Sequence, residues 1–171
     1  MQQSSEVSIV VKNGAGVAMA VVLRDAFKDS FALNISGPAV DDPPDEWISL
    51  GQRVFNAMKG TADVERLIKE LLAPGNPASV QVIGLMAMYL AAIFRRRWFT
   101  EEILEQLSIR LVTLFRRKEA NVRFRALACL IVLVDARRMP NPDQILRALR
   151  ERLAVEDDPV VKEELDWMLS D

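Results

Sequence analysis

Histidine is missing from all 171 residues, cysteine and tyrosine occur once each, and aromatic side chains make up only 6% of the chain. Without imidazole there is no Ser-His-Asp or Cys-His nucleophile pair, no neutral-pH general base of the commonest kind and no histidine-ligated metal. No serine sits in a nucleophile-elbow pattern. A single thiol, Cys129, rules out a disulfide within the chain, and its place in the apolar run 126–134 predicts a buried structural role. These gaps exclude most acid–base and nucleophilic chemistry, so a non-enzymatic protein with no cofactor is expected.

Long hydrophobic runs are scarce as well. Val80–Phe94 is the longest, and it falls short of the roughly 18 residues of a membrane span, although the Arg95-Arg96-Arg97 that follows is placed like a positive-inside flank. The opening Met1–Glu6 lacks a basic region, and the apolar stretch after it is interrupted at Lys12-Asn13-Gly14. Neither a secretory signal nor a membrane span is therefore expected, and the compartment predicted is the cytoplasm.

What is present is an ordinary globular mixture, 50% hydrophobic and 27% charged, of a length that suits one domain or one domain with a small appendage. The formal charge of −2 hides a division. Residues 1–79 carry seven basic against ten acidic side chains, residues 80–139 eleven against five, and residues 140–171 four against nine. A basic middle between acidic ends suits an anionic partner, and it equally suits pairing of the ends with the middle.

Punctuation divides the chain into a segment 1–40 and a helical region 41–171. In the first, Val7–Val11 reads as a strand and Asn13-Gly14-Ala15-Gly16 as a turn. The stretch after it fits either a small meander (Val17, Met19, Val21, Leu23, then Phe31, Leu33, Ile35) or a helix carrying Val17, Val21, Arg24 and Lys28 with alanines on its inner turns. In the helical case Gly14-x-Gly16 would open like a dinucleotide-binding turn, but Met19 stands where a third glycine belongs and no further βαβ unit follows. From Pro43 onward helices are predicted over Asp45–Lys59, stopped by Gly60, then Ala62–Leu72 capped by Thr61, Ala78–Arg97, Glu101–Lys118 capped by Thr100, Val122–Arg138 capped by Asn121, Asp143–Ala154 opened by Asn141-Pro142, and Val160–Leu169 opened by Asp158-Pro159. Their short connections predict antiparallel neighbours.

Three of these helices open alike: Asn76-Pro77-Ala78-Ser79-Val80-Gln81, Ala120-Asn121-Val122-Arg123-Phe124-Arg125-Ala126 and Asp158-Pro159-Val160-Val161-Lys162. Val80, Val122 and Val161 stand 42 and 39 positions apart, about one two-helix repeat each. Over residues 61–171 the chain resembles HEAT-like and armadillo-like α-solenoids, whose second helices commonly open with Asp-x-x-Val-Arg-x-x-Ala. The resemblance implies an all-α fold of antiparallel helix pairs stacked as a short right-handed superhelix, preceded by a small irregular or β-containing segment. It also implies a ladder of acidic and basic contacts between repeats, although Gln81 occupies the basic position of the first. Inner helices would then be Ala78–Arg97, Val122–Arg138 and Val160–Leu169. Two of them, Val80–Phe94 and Ala126–Val134, are apolar all round and need a cover: the segment Val7–Ile35, a second copy of the chain, or another protein.

The function expected from this is a protein–protein interaction or assembly module, a scaffold or adaptor binding a protein partner or forming a homodimer. Arginine clusters at Arg95-Arg96-Arg97, Arg116-Arg117-Lys118 and Arg137-Arg138 complement helix C-termini. One edge could also gather Arg95, Arg96, Arg97, Arg123, Arg125, Arg137 and Arg138 for a nucleic acid or another anion, with Trp98 as a contact beside it. A small-molecule site would lie in the inner groove next to Met86, Tyr89 and Cys129. Trp47, Trp98 and Trp167 are expected as packed residues near helix ends. The carboxylates Asp41, Asp42, Asp45 and Glu46 are interrupted by Pro43-Pro44 and are read as solvated rather than as cation ligands.

Overall fold

A computed structural model of the chain describes residues 21–26, 28–29, 36–42, 44–72, 100–135 and 140–170. All the regular structure among them is helical, with no strand. Residues 21–26 and 28–29 are helical and are labelled α1 here. The others are α2 (Asp45–Ala57), α3 (Thr61–Leu72), α4 (Glu101–Leu114), α5 (Ala120–Asp135), α6 (Pro142–Leu153) and α7 (Pro159–Leu169). Of the two readings of the early chain, the helix therefore holds for 21–29, with Ala26 fully buried on its inner side and Val21, Arg24 and Lys28 exposed. The expected strand Val7–Val11, the turn at Gly14, Phe31–Ile35 and the helix Ala78–Arg97 lie outside the described residues.

Helix α4 shows why the pattern folds as it does. Ile103, Leu104, Leu107, Leu111 and Leu114 recur every three or four residues and are all buried, while Glu101, Glu102 and Glu105 face water. The Thr100 hydroxyl accepts the Ile103 N–H at 3.3 Å, closing the first turn. On α6 the buried positions are Ile145 and Leu149, and on α7 Val161 and Leu165. In α5, by contrast, every residue from Ala120 to Leu130 except Ala128 is buried, polar ones included.

The packing order follows from that difference. Helix α5 lies against both α4 and α7, α7 also against α6, and α4 also against α3 and α6. Thus α4–α5 and α6–α7 are two neighbouring hairpins whose first helices touch each other and whose second helices touch each other. Leu104, Leu111, Leu127, Leu130, Leu149 and Leu165, all less than 2% exposed, fill the space they share.

Several boundaries differ from those the sequence predicts. Helix α2 ends at Ala57, three residues before Gly60, because Met58 is extended (φ −76°, ψ 129°). Thr61 is the first residue of α3 rather than its cap: the Gly60 carbonyl accepts from Asp63 and Val64, and the Asp63 carboxylate takes the Lys59 N–H at 2.8 Å. Asn121 likewise lies inside α5, whose opening N–H groups, those of Val122 and Arg123, are met by the Glu119 carbonyl. Asn141 does stand at the N-cap of α6, in the left-handed region (φ 49°) and with its side chain turned away from the helix. Among the described residues no helix is long and apolar enough to cross a membrane.

Candidate functional site

The polar residues buried in and around α5 fall into two groups that share one edge of the fold. The first is a knot centred on Glu156, in the turn between α6 and α7. Its side chain has no exposed surface, and its two oxygens collect five donors. Oε2 accepts from Arg123 Nε (2.9 Å) and Arg152 Nε (2.8 Å), and Oε1 accepts from Arg123 Nη2 (2.6 Å) and from the backbone N–H groups of Asp157 (3.1 Å) and Asp158 (3.0 Å). Burial would push this carboxyl up, but the bonds to Arg123, the Asp158 N–H and Arg152 outweigh it and hold the group down at about 2. Arg123 is itself 3% exposed, and its Nη1 donates to the carbonyls of Arg117 and Lys118 in the turn between α4 and α5. One ion pair therefore fixes the turns of both hairpins.

The second group is set in place by the first. With the α6–α7 turn pinned, Asp158 caps α7, its Oδ1 accepting from Val160 (3.0 Å) and Val161 (3.1 Å). With the α4–α5 turn pinned, Asn121 and Arg125 stand one turn apart on α5, facing the same way. These three side chains hold a non-helical stretch, Gly37–Asp42, bent at both ends, that arrives from far away in the chain. Asn121 Nδ2 donates to the Pro38 carbonyl (3.0 Å) and Asn121 Oδ1 accepts from the Val40 N–H (3.0 Å). Asp158 Oδ2, the oxygen not used in capping, accepts from the Ala39 N–H at 2.9 Å. Arg125 Nη2 donates to the carbonyls of Val40 (2.5 Å) and Asp41 (2.9 Å). All five strap atoms bound in this way are main-chain atoms, and of its side chains only that of Ala39, 5% exposed, is buried.

The clamp is not fully satisfied. Arg125 is 8% exposed, and its Nε has no acceptor among the described residues. Desolvation lowers its pKa, against the opposing pull of the Asp41 and Asp42 carboxylates. Glu164 on α7 is raised by burial and by its neighbours Asp41 and Glu163, so the strap carries negative charge onto an already acidic helix face.

A second concavity, an open cleft of ≈ 200 Å³ between α4 and α6, is lined by Glu105, Ile109, Arg116, Asn141 and Gln144 among others. Ile109 is 53% exposed there. It offers neither a paired acid and base nor a metal-ligand cluster, and among the described residues no group of three or more Cys, Asp or Glu could hold a metal ion.

Of the residues singled out from the sequence, Arg95, Arg96, Arg97, Trp98, Met86, Tyr89, Arg137 and Arg138 lie outside the described residues. Arg123 and Arg125 are described, and they are inside the fold: one is neutralised by Glu156, the other is turned onto the strap. Neither guanidinium is displayed on an open basic edge. Cys129 is fully buried, which pushes its thiol up to about 12. Trp167 is 60% exposed rather than packed. Glu156, Asp158 and Asn121 were missed as a site. Each looks like a helix-start residue, and the partners that redefine Asn121 and Asp158 stand 81 to 119 positions away.

Compared with protein-family models, curated proteins and solved structures, the chain finds no match in any of the three.

Proposed function

We propose that the chain is a non-enzymatic protein-interaction module made of stacked HEAT-like helix pairs, and that it binds non-helical polypeptide at the clamp of Asn121, Arg125 and Asp158. Support for the stacked pairs comes from the packing order, in which first helix lies on first and second on second. The Arg123–Glu156 ion pair adds to it, joining the turn within one hairpin to the turn within the next, as the acid–base ladder of such repeats would.

The observation that carries the binding reading is that three side chains from two helices already grip five main-chain atoms of a non-helical segment. A site that bonds backbone N–H and C=O recognises the polypeptide main chain itself, with side chains adding selectivity only at the covered position. The apolar length of α5, expected to be the docking surface, supports this differently: along 120–130 it is covered by the chain's own elements, which leaves the polar clamp as the surface where a partner exchanges contacts.

A random peptide library selected against the full chain tests the reading. Enriched peptides should bind the wild type and weaken by about thirtyfold on Asn121→Ala, which removes the two side-chain hydrogen bonds to the bound backbone, each worth roughly 1 kcal/mol net. Enriched peptides indifferent to both Asn121→Ala and Arg125→Ala would overturn it.

A further inference from the structure

Resting on that reading, we infer that Gly37–Asp42 is a ligand held in cis, and that the partner is a non-helical polypeptide segment with a small residue at the position of Ala39 followed by an acceptor that reaches Arg125 Nε. The strap has the properties of an occupant that can leave. Gly37 to Asp42 make no main-chain hydrogen bond to any other main chain among the described residues; their bonds come from the three clamp side chains. Ala39 is the only one of these six with its side chain buried, so little apolar area opposes release. At the upstream end Gly37 turns the chain at φ +91°, a conformation open to glycine without strain, and among the described residues a Cβ placed there would meet nothing within 4 Å.

The strap is also an incomplete ligand. A buried N–H on a charged group with no acceptor costs the full desolvation of that donor, and Arg125 Nε is such an atom. A segment that keeps the backbone bonds and adds a carboxylate or carbonyl at Nε gains what the strap forfeits. The slot that covers Ala39 admits a small side chain, while Asp41 and Asp42 just downstream favour the Arg125 charge and Asp41 at the same time opposes that of Glu164. The strap's attachment on the same chain gives it an effective concentration of millimolar order, so a free segment must compete with it and its apparent affinity falls by the fraction of time the clamp is open.

The test uses the full chain and a fluorescent synthetic peptide copying residues 36–42, read by anisotropy. Ala39→Arg in the protein evicts the strap, since the covered slot cannot hold a guanidinium. The peptide should bind this variant at least about tenfold tighter than the wild type, and the gain should vanish when Asn121→Ala is added. If library-selected peptides bind the wild type and Ala39→Arg equally, the strap is no competitor and this inference falls while the interaction reading stands. If neither chain binds any peptide, both fall. The wild type supplies an independent measurement that needs no variant to fold: excess selected peptide should accelerate hydrogen exchange at the Ala39 and Val40 amides. Unchanged protection there with peptide bound would equally overturn the inference.

Discussion

A carboxylate without exposed surface is stable only where donors replace the water it has lost, and Glu156 collects five of them. Its lowered pKa makes the fold acid-sensitive in a defined window. The unfolded carboxyl takes up its proton near the ordinary value of 4.5 and the folded one at about 2. As pH falls between those values the unfolded state binds more protons, so stability is fully present above 4.5 and is lost on the way to about 2. The loss amounts to about 3 kcal/mol. Urea midpoints at pH 5 and pH 3 should separate clearly in the wild type and much less in Glu156→Gln. Glu156→Ala goes further, since it leaves the buried Arg123 guanidinium with only the exposed Asp157 carboxylate, 3.2 Å away, as counter-charge, and should cost about 3 kcal/mol. Cys129, on the same helix as Arg123, marks the opposite case: burial raises it to about 12, and the pull of the nearby Arg125 charge does not offset it. Its reaction with a disulfide reagent at neutral pH should proceed no faster than the chain unfolds, whereas labelling at the rate of an exposed thiol would contradict the burial.

At the scale of the helix, the ends test what local sequence conveys. Thr100 and Asp158 cap the helices their sequence predicts, because an N-cap needs only N–H groups two or three residues away, and that chemistry is local. Asn121 carries the same signal, Asn before a Val-rich run, yet serves the strap instead; no local pattern reveals a partner 83 positions upstream. Thr61 gives way because Gly60 and Asp63 already satisfy the start of α3. The periodicity of α4 was legible residue by residue, while the burial of Arg123 and Arg125 was not, since an arginine beside apolar neighbours reads the same whether it faces water or a carboxylate 33 positions on. Two substitutions probe these elements. Asn141 sits at φ 49°, where Asn is tolerated and alanine is not, so Asn141→Ala should cost about 1 kcal/mol and Asn141→Gly well under that in thermal melts. Ala126, fully buried on α5, has no room for extra methylenes: Ala126→Leu should destabilise by about 1–3 kcal/mol, and a neutral result would mean the helices around α5 pack more loosely than described.

Across the whole molecule, the uneven charge along the chain is resolved partly by internal pairing. The basic middle meets the acidic end through Arg123 with Glu156 and Asp157, and it meets the acidic Asp41-Asp42 stretch through Arg125. This balance of segments was visible in the sequence; which cations were spent inside was not. The residues left outside are correspondingly undemanding. Trp167, 60% exposed on α7, should be replaceable by alanine with a change of no more than about 0.5 kcal/mol in stability, and a larger loss would place its ring in a contact that its exposure does not suggest.

Because the hydrogen bonds that Asn121, Arg125 and Asp158 make to the strap all go to carbonyl and amide atoms, evolution is free to rewrite most of its letters. Homologous chains that keep those three residues should tolerate substitution at Val40, Asp41 and Asp42 one at a time, while position 37 stays glycine and position 39 stays small. An orthologue with a bulky residue at 39 and an intact clamp would be a natural example of the vacated state.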